Sequence, residues 1–327
     1  MIVTIQLYFF IFFIAAILSA VFLTFAKKIS DRYNFYDNPE NDSLKRHKKP
    51  ISFFGGAAIL TSFLSGLISI WILNKNINFN FEYTKIAALF IGGIIAWFYG
   101  FWDDTYWQKR EKISQEAKIF LQIPIAFILA LIFYIAQIKY QFFGISLFGI
   151  ALATILFIFI ENAVNLQDGL DGLASGIVLI SSIAFFIFFI FSHNIFAAFV
   201  SVAIMGAVFS FLVYNWNPAS IFMGNNGSYF LGFLMTALAI MASYPGRFFY
   251  SLLPYLFLGA PIINVFYVFT KRWANGKSFF SADRNHIHDE LYKITKSVPK
   301  SVIIIYFIHL ILVIVGLTLL ICFNRVV

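Results

Sequence analysis

LASGIVLISSIAFFIFFIFSHNIFAAFVSVAIMGAVFSFLV, residues 173–213, contains no lysine, arginine, aspartate or glutamate. Ser192–Asn194 divide it into two apolar runs, 173–192 and 195–213. Each is close to the roughly 20 residues that cross a bilayer as a helix. The runs show no alternation of period two, which argues against an outer-membrane barrel. Lipid forces the backbone to satisfy its own hydrogen bonds, so the runs read as helices.

Working outward, eight further stretches read the same way, at about 3–26, 52–73, 86–102, 117–136, 145–161, 229–243, 249–270 and 301–323. The fold class is therefore all-α: a polytopic integral membrane protein of about ten transmembrane helices in one domain, 1–327. The first stretch lacks a basic leader and a small-residue cleavage site, which marks it as a retained span. No internal repeat is visible. Composition agrees: 61% of the 327 residues are hydrophobic, 20% aromatic and 12% charged, against about 25% charged in soluble domains. A soluble enzyme, a disordered chain and a disulfide scaffold are excluded. Cys322 stands alone and cannot form an internal disulfide. The net charge of +8 reads as a topology signal or a contact with anionic head groups, and no nucleic acid is expected.

The loops after the first, third and ninth stretches hold all 23 basic residues except Lys75, Lys85, Lys139, Arg247 and Arg325. The positive-inside rule places those loops in the cytoplasm and both termini outside. Of 15 acids, only Glu82 falls clearly on the other side. The expected cytoplasmic loops are 27–51, 103–116, 162–172, 214–228 and 271–300. Asp103, Asp104, Asp168 and Asp171 lie directly at span ends, where ionisable groups are costly and mark function.

Four of these loops carry chemistry. Gly100–Asp104, GFWDD, pairs two carboxylates, which repel unless a cation or a shared proton intervenes; a solvated helix end is the plain alternative. Asn162–Ala174, NAVNLQDGLDGLA, offers amide and carboxylate oxygens with no basic neighbour. That suits Mg²⁺ or the edges of a sugar and a base; a polar turn is the alternative. Asn217–Gly232, NPASIFMGNNGSYFLG, brings a helix start that suits an anion, or a helix capped by Ser228. Arg284, His286 and His288 in the last loop suit phosphate oxygens, and their spacing fits no common zinc site. His193 and His309, in or beside apolar runs, read as structural.

These segments, together with Asp37–Gly56 (DNPENDSLKRHKKPISFFGG), resemble the polyprenyl-phosphate N-acetylhexosamine-1-phosphate transferase family, glycosyltransferase family 4, in the family's order and over nearly the whole chain. The resemblance implies ten spans, an active site on the cytoplasmic face and a location in the bacterial inner membrane. It implies transfer of a sugar-1-phosphate from a UDP-sugar such as UDP-N-acetylhexosamine to undecaprenyl phosphate, with Mg²⁺ (Mn²⁺ as a substitute) and release of UMP. It leaves a homodimer open. Residue by residue, Asp103 and Asp104 match the acid pair that deprotonates or positions the lipid phosphate. Asn162, Asn165 and Asp168 match the nucleotide–diphosphate lining, with Asp168 counted as catalytic and metal-holding. Leu166, Gly169, Asp171 and Phe222 match positions around the uracil. Arg284, His286 and His288 match the loop that grips diphosphate or sugar, and His47 with Lys48 or Lys49 match the basic element near the phosphates.

Two positions depart from the pattern. Asn225 stands where the family has a metal-ligating Asp, and Asp289 stands where a further His is usual. The two-histidine loop resembles members that start O-antigen, enterobacterial common antigen or teichoic acid lipids. Peptidoglycan lipid I synthesis is the alternative within the family. A weak or inactive member, motivated by Asn225, and a membrane transporter are the alternatives outside that activity.

Overall fold

The computed structural model describes residues 2–39, 48–77, 79–107, 114–138, 146–243, 248–278 and 285–324. Helix α1 spans Ile2–Tyr33. A short antiparallel ribbon follows, β1 (Tyr36–Asp37) pairing with β2 (Ile51–Ser52). Then come α2 (Gly55–Ile77), α3 (Tyr83–Trp102), α4 (Gln115–Ile135), α5 (Ser146–Asn165), α6 (Leu173–Phe191), α7 (Ile195–Asn215) and α8 (Gly224–Met241). The chain ends in α9 (Phe248–Leu252), a 3₁₀ segment Leu253–Leu258, α10 (Gly259–Ala274), α11 (Ile287–Thr295) and α12 (Val298–Asn324). The all-α polytopic architecture expected from the apolar runs is what the chain adopts.

Among the described residues, nine helices are long and apolar enough to cross a membrane. The stretch expected at 229–243 forms α8, which is not among them. It opens on Gly224-Asn225-Asn226-Gly227-Ser228, which dilutes its hydropathy. Protein rather than lipid surrounds it: every residue from Asn226 to Ile240 is buried, and it packs against α3, α5 and α2. A helix enclosed on all sides needs no lipid-matching face. Elsewhere the distribution is that of a membrane protein, with Phe9, Phe13 and Ile17 of α1 and Phe307 and Ile314 of α12 exposed. The interior is aromatic, as where Phe233 of α8 meets Phe133 of α4 and Phe157 of α5, each at 5.6 Å between ring centroids.

The stretch expected as one span at 249–270 is one of the nine, Tyr250–Ala274, although its helix changes type within it, from α9 through the 3₁₀ segment to α10. Pro254, at the start of the 3₁₀ segment, cannot donate a backbone hydrogen bond. Neighbouring helices satisfy groups at the break, as lipid requires. Ser181 of α6 donates to the Phe257 carbonyl at 2.6 Å, and the Ala260 N–H donates to His309 Nδ1 of α12 at 3.4 Å. Ser181 and His309 Nε2 also lie 3.0 Å apart. His309 is thus the structural residue expected, with a specific task. His193 closes the turn between α6 and α7 at φ 55°.

Candidate active site

The site forms where the ends of α3 and α5 meet the start of α8. Asp103 and Asp104 stand in one turn of π-helix, Asp103–Trp107, that continues α3; such turns are rare and concentrate at functional positions. Gly100 lets the two helices touch, because a Cβ there would lie 2.3 Å from the Asn225 carbonyl oxygen. Both carboxylates therefore reach the first turn of α8. Asp104 Oδ1 accepts from the Asn225 N–H at 3.0 Å. Its Oδ2 accepts from the Asn226 N–H at 2.9 Å and from Asn226 Nδ2 at 2.7 Å. A carboxylate held by two N–H groups at a helix start is favoured by those unpaired donors and by the helix dipole. Asp104 is buried, and all three contacts go to α8. Asp103 Oδ1 pairs with Lys118 Nζ at 2.5 Å, and its Oδ2 accepts from Asn225 Nδ2 at 3.0 Å.

The amides continue the network. Asn165 Nδ2 donates to Asn225 Oδ1 and to Ser228 Oγ, each at 2.8 Å. Asn162 Nδ2 donates to Gln122 Oε1 at 2.7 Å. The anion site foreseen at the start of α8 is thus filled by this chain's own Asp104.

The 166–172 turn is held from several sides. Gln167 Nε2 donates to the Ala260 carbonyl at 3.0 Å, and Asn264 Nδ2 donates to the Leu166 carbonyl at 3.4 Å. The Gly172 N–H donates to Asn215 Oδ1 at 3.1 Å, and the Tyr306 hydroxyl donates to the Gly172 carbonyl. Burial, then the carboxylates of Asp104, Asp171 and Asp37, push the Asp168 carboxyl well above the ordinary aspartate range. Four acids therefore share one electrostatic neighbourhood.

Asp171 Oδ2 accepts from Asn217 Nδ2 at 2.8 Å and from the Ala219 N–H at 3.0 Å. It anchors the loop that leads to Phe222. The Phe222 N–H donates to the Ser52 carbonyl at 2.8 Å, and its carbonyl accepts from the Gly55 N–H at 3.0 Å. The ribbon after α1 and the Phe222 loop are thereby joined.

The two-histidine loop closes over the turn. A Cβ on Gly169 would lie 2.2 Å from His288 Nε2, so glycine there lets the imidazole approach the turn. His286 and His288 stack at 5.0 Å between ring centroids. Asp289 Oδ2 accepts from the His286 N–H at 3.3 Å and lies 3.8 Å from His288 Nε2. Asp289 thus orders the start of α11 beside the histidines.

Of the expected site residues, Asp103, Asp104, Asn165 and Asn225 fall in one hydrogen-bonded region, and Asn162 stands one turn earlier on α5, bonded to Gln122. Asp168, Gly169 and His288 meet beside it, and Leu166, Asp171, Phe222 and His286 line its edges. Lys48 is exposed just before β2. His47 and Arg284 lie outside the described residues. Sequence reading missed Asp37, although it opens the quoted first-loop element. It also missed Lys118, Gln122, Asn215 and Asn264, which sit inside helical runs where nothing in the local pattern sets them apart.

Among the described residues, no three His, Cys, Asp or Glu gather closely enough to hold a metal ion. The donors present are hard oxygens: the Asp168 carboxylate in an acidic neighbourhood, with asparagine amides nearby. That fits Mg²⁺, which binds through one or two carboxylates and leaves other positions to substrate phosphate and water.

Residues 86–243, which hold most of these groups, match the family model described as glycosyl transferase family 4. The chain is 28% identical to a probable undecaprenyl-phosphate N-acetylglucosaminyl 1-phosphate transferase of Bacillus subtilis, over 90% of this chain and 80% of that protein. It is 27% identical to the phospho-N-acetylmuramoyl-pentapeptide-transferase of Aquifex aeolicus, over 94% and 90%. It is 32% identical to the enzyme of that same name from Oceanobacillus iheyensis, over 70% and 72%. The match falls on the helix ends and loops that build this acid–amide site inside a multi-pass membrane protein, and the chain belongs to glycosyl transferase family 4, the polyprenyl-phosphate N-acetylhexosamine-1-phosphate transferase family.

Proposed function

We propose that the chain transfers N-acetylhexosamine-1-phosphate from a UDP-sugar to undecaprenyl phosphate in the bacterial inner membrane, starting a cell-envelope polysaccharide. The observation that carries this reading is the convergence of Asp103, Asp104, Asn165 and Asn225 beside Asp168 and His288, where apolar helices end. A lipid phosphate and a water-borne nucleotide can meet at such a border. The basic loops would face the cytoplasm, with both termini outside if α8 counts as a tenth crossing.

An oxygen of the lipid phosphate attacks the β-phosphorus of the UDP-sugar, a new P–O–P link forms, and the bond to UMP breaks. Asp103, charge-paired with Lys118, holds or accepts the proton of the lipid phosphate. His286 and His288 offer ring nitrogens to the diphosphate, and Phe222 and Asp171 border the uracil. Asp168 and the asparagine oxygens would hold Mg²⁺, which neutralises diphosphate charge when bound.

Membranes containing the protein, incubated with labelled UDP-GlcNAc and undecaprenyl phosphate, are expected to yield label in the organic extract only when Mg²⁺ is present. Label appearing instead from UDP-MurNAc-pentapeptide would favour the lipid I reading, which the 94% coverage by the Aquifex aeolicus relative keeps in view. Solute uptake without lipid product would indicate a transporter.

Asp171→Ala is expected to weaken UMP binding by about 1.5–3 kcal/mol, the scale of a hydrogen bond involving a charged group. The loop 217–219 also loses its anchor. Calorimetric titration of UMP is the check, and unchanged affinity would remove Asp171 from the nucleotide pocket.

A further inference from the structure

The transfer reading gives no task to a carboxylate buried within α5. Glu161 is 2% exposed, inside a span, where an ionisable side chain is expensive and calls for a reason. Its Oε2 accepts from Gln122 Nε2 of α4 at 2.8 Å. Its Oε1 has no hydrogen-bond partner among the described residues. Gln122, itself 1% exposed, has its amide direction fixed by this contact. The nitrogen faces the acid, and Oε1 faces the other way and accepts from Asn162 Nδ2 at 2.7 Å. The second Asn162 Nδ2 hydrogen goes to the Ile158 carbonyl at 2.7 Å. Both amide hydrogens of Asn162 are therefore engaged inside the protein, and its carbonyl oxygen is the end left to a ligand.

We infer that Glu161 and Gln122 are positioning residues that set the amide orientation of Asn162, so that position 162 presents an acceptor rather than a donor. An amide is nearly symmetric in shape, and only its partners decide which end points where. An acid, which accepts at both oxygens when ionised, gives the relay its direction. Partners behind a ligand-holding group commonly decide its geometry in this way. The inference rests on the transfer reading for the identity of the ligand, but not for the direction of the relay.

The test is a double-mutant cycle between positions 161 and 162. In Asn162→Asp, a carboxylate faces Gln122 Oε1, and Gln122 cannot turn round because its carbonyl would then face Glu161. Combined with Glu161→Gln, Gln122 is free to turn and donate to position 162. Asn162→Asp is therefore expected to lower kcat/KM for the UDP-sugar about tenfold less in the Glu161→Gln background than in the natural one, within the range of coupling between contacting residues. The lost Ile158 contact is common to both backgrounds and cancels. If Glu161 only fills space, the fold-loss will be equal in the two backgrounds, and equality or a larger loss overturns the inference.

A second pair covers the chance that Asn162→Asp fails to fold. Gln122→Glu alone sets two carboxyls 2.8 Å apart, and it is expected to lower the melting temperature in detergent. Adding Glu161→Gln moves the acid one step along the relay, where it accepts from both neighbours, and should recover the melting temperature and UMP affinity. No recovery overturns the inference. If the natural chain makes no lipid-linked product from any UDP-sugar, the transfer reading fails, and the melting-temperature cycle still decides the relay.

Discussion

Asp104→Asn is expected to lower turnover at least about a hundredfold, the scale of a lost charge-positioning group, and to lower the melting temperature in detergent as well. Both oxygens of Asp104 accept hydrogen bonds from the first turn of α8. An amide at position 104 would turn its own N–H groups against at least one of those donors. A buried donor left unpaired costs about 1–3 kcal/mol, and the helix dipole loses its counter-charge. Asp103→Asn should show a comparable loss of turnover with a smaller loss of stability. Lys118 is 16% exposed at its side chain and can turn toward water when its partner is neutralised. Turnover with purified protein and thermal melting of the same preparations separate the two roles. Near-natural turnover of both variants would remove the acid pair from the chemistry. Equal melting temperatures would remove Asp104 as the anchor of α8.

The second large effect is expected at Asn225, the position that the family resemblance matches to a metal-ligating acid. Asn225 Nδ2 donates to Asp103 Oδ2 at 3.0 Å, so a carboxylate in its place would face a carboxylate. Two such groups repel unless a cation lies between them, and hard-cation affinity rises with the number of charged oxygen ligands. Asn225→Asp is therefore expected to lower the Mg²⁺ concentration for half-maximal lipid-product formation about tenfold and to raise turnover. Without Mg²⁺ the variant should melt below the natural protein, and added Mg²⁺ should close the gap. An unchanged Mg²⁺ titration, or abolished activity, would show that position 225 is no vacated ligand position. Asp289 has partners of its own: its carboxylate accepts from the His286 N–H at 3.3 Å and lies 3.8 Å from His288 Nε2.

The spans were legible because bilayer thickness dictates length and lipid dictates composition, and both act on contiguous residues. The one exception has a local cause: α8 trades hydropathy for the polar turn that binds Asp104, whereas Pro254 changes the helix type of the ninth stretch without removing it as a span. The site was legible where polar residues cluster in sequence, as in Asn162–Ala174 and at Asp103 and Asp104. Its supports were not. Gln122, Asn264 and Tyr306 lie within apolar stretches of their helices, and only the packing of α4 and α10 on α5, and of α12 on α6, brings them to their partners. The sequence pattern also read Asp103 and Asp104 as equivalents, whereas one faces a lysine and the other a helix start.

At 32 residues, α1 is about 48 Å long, well beyond the roughly 30 Å of hydrocarbon it has to cross. No Asp, Glu, Lys, Arg or His occurs before Lys27, so the surplus falls at the end bearing Lys27, Lys28 and Arg32, all exposed. The helix is a gauge rod planted in the bilayer. Its protruding tip carries the ribbon, the ribbon holds Phe222, and the Phe222 loop is thereby kept at a set height above the oily layer. Shortening the tip by a turn would sink that loop toward the acyl chains, and a thicker bilayer would do the same to the unaltered protein.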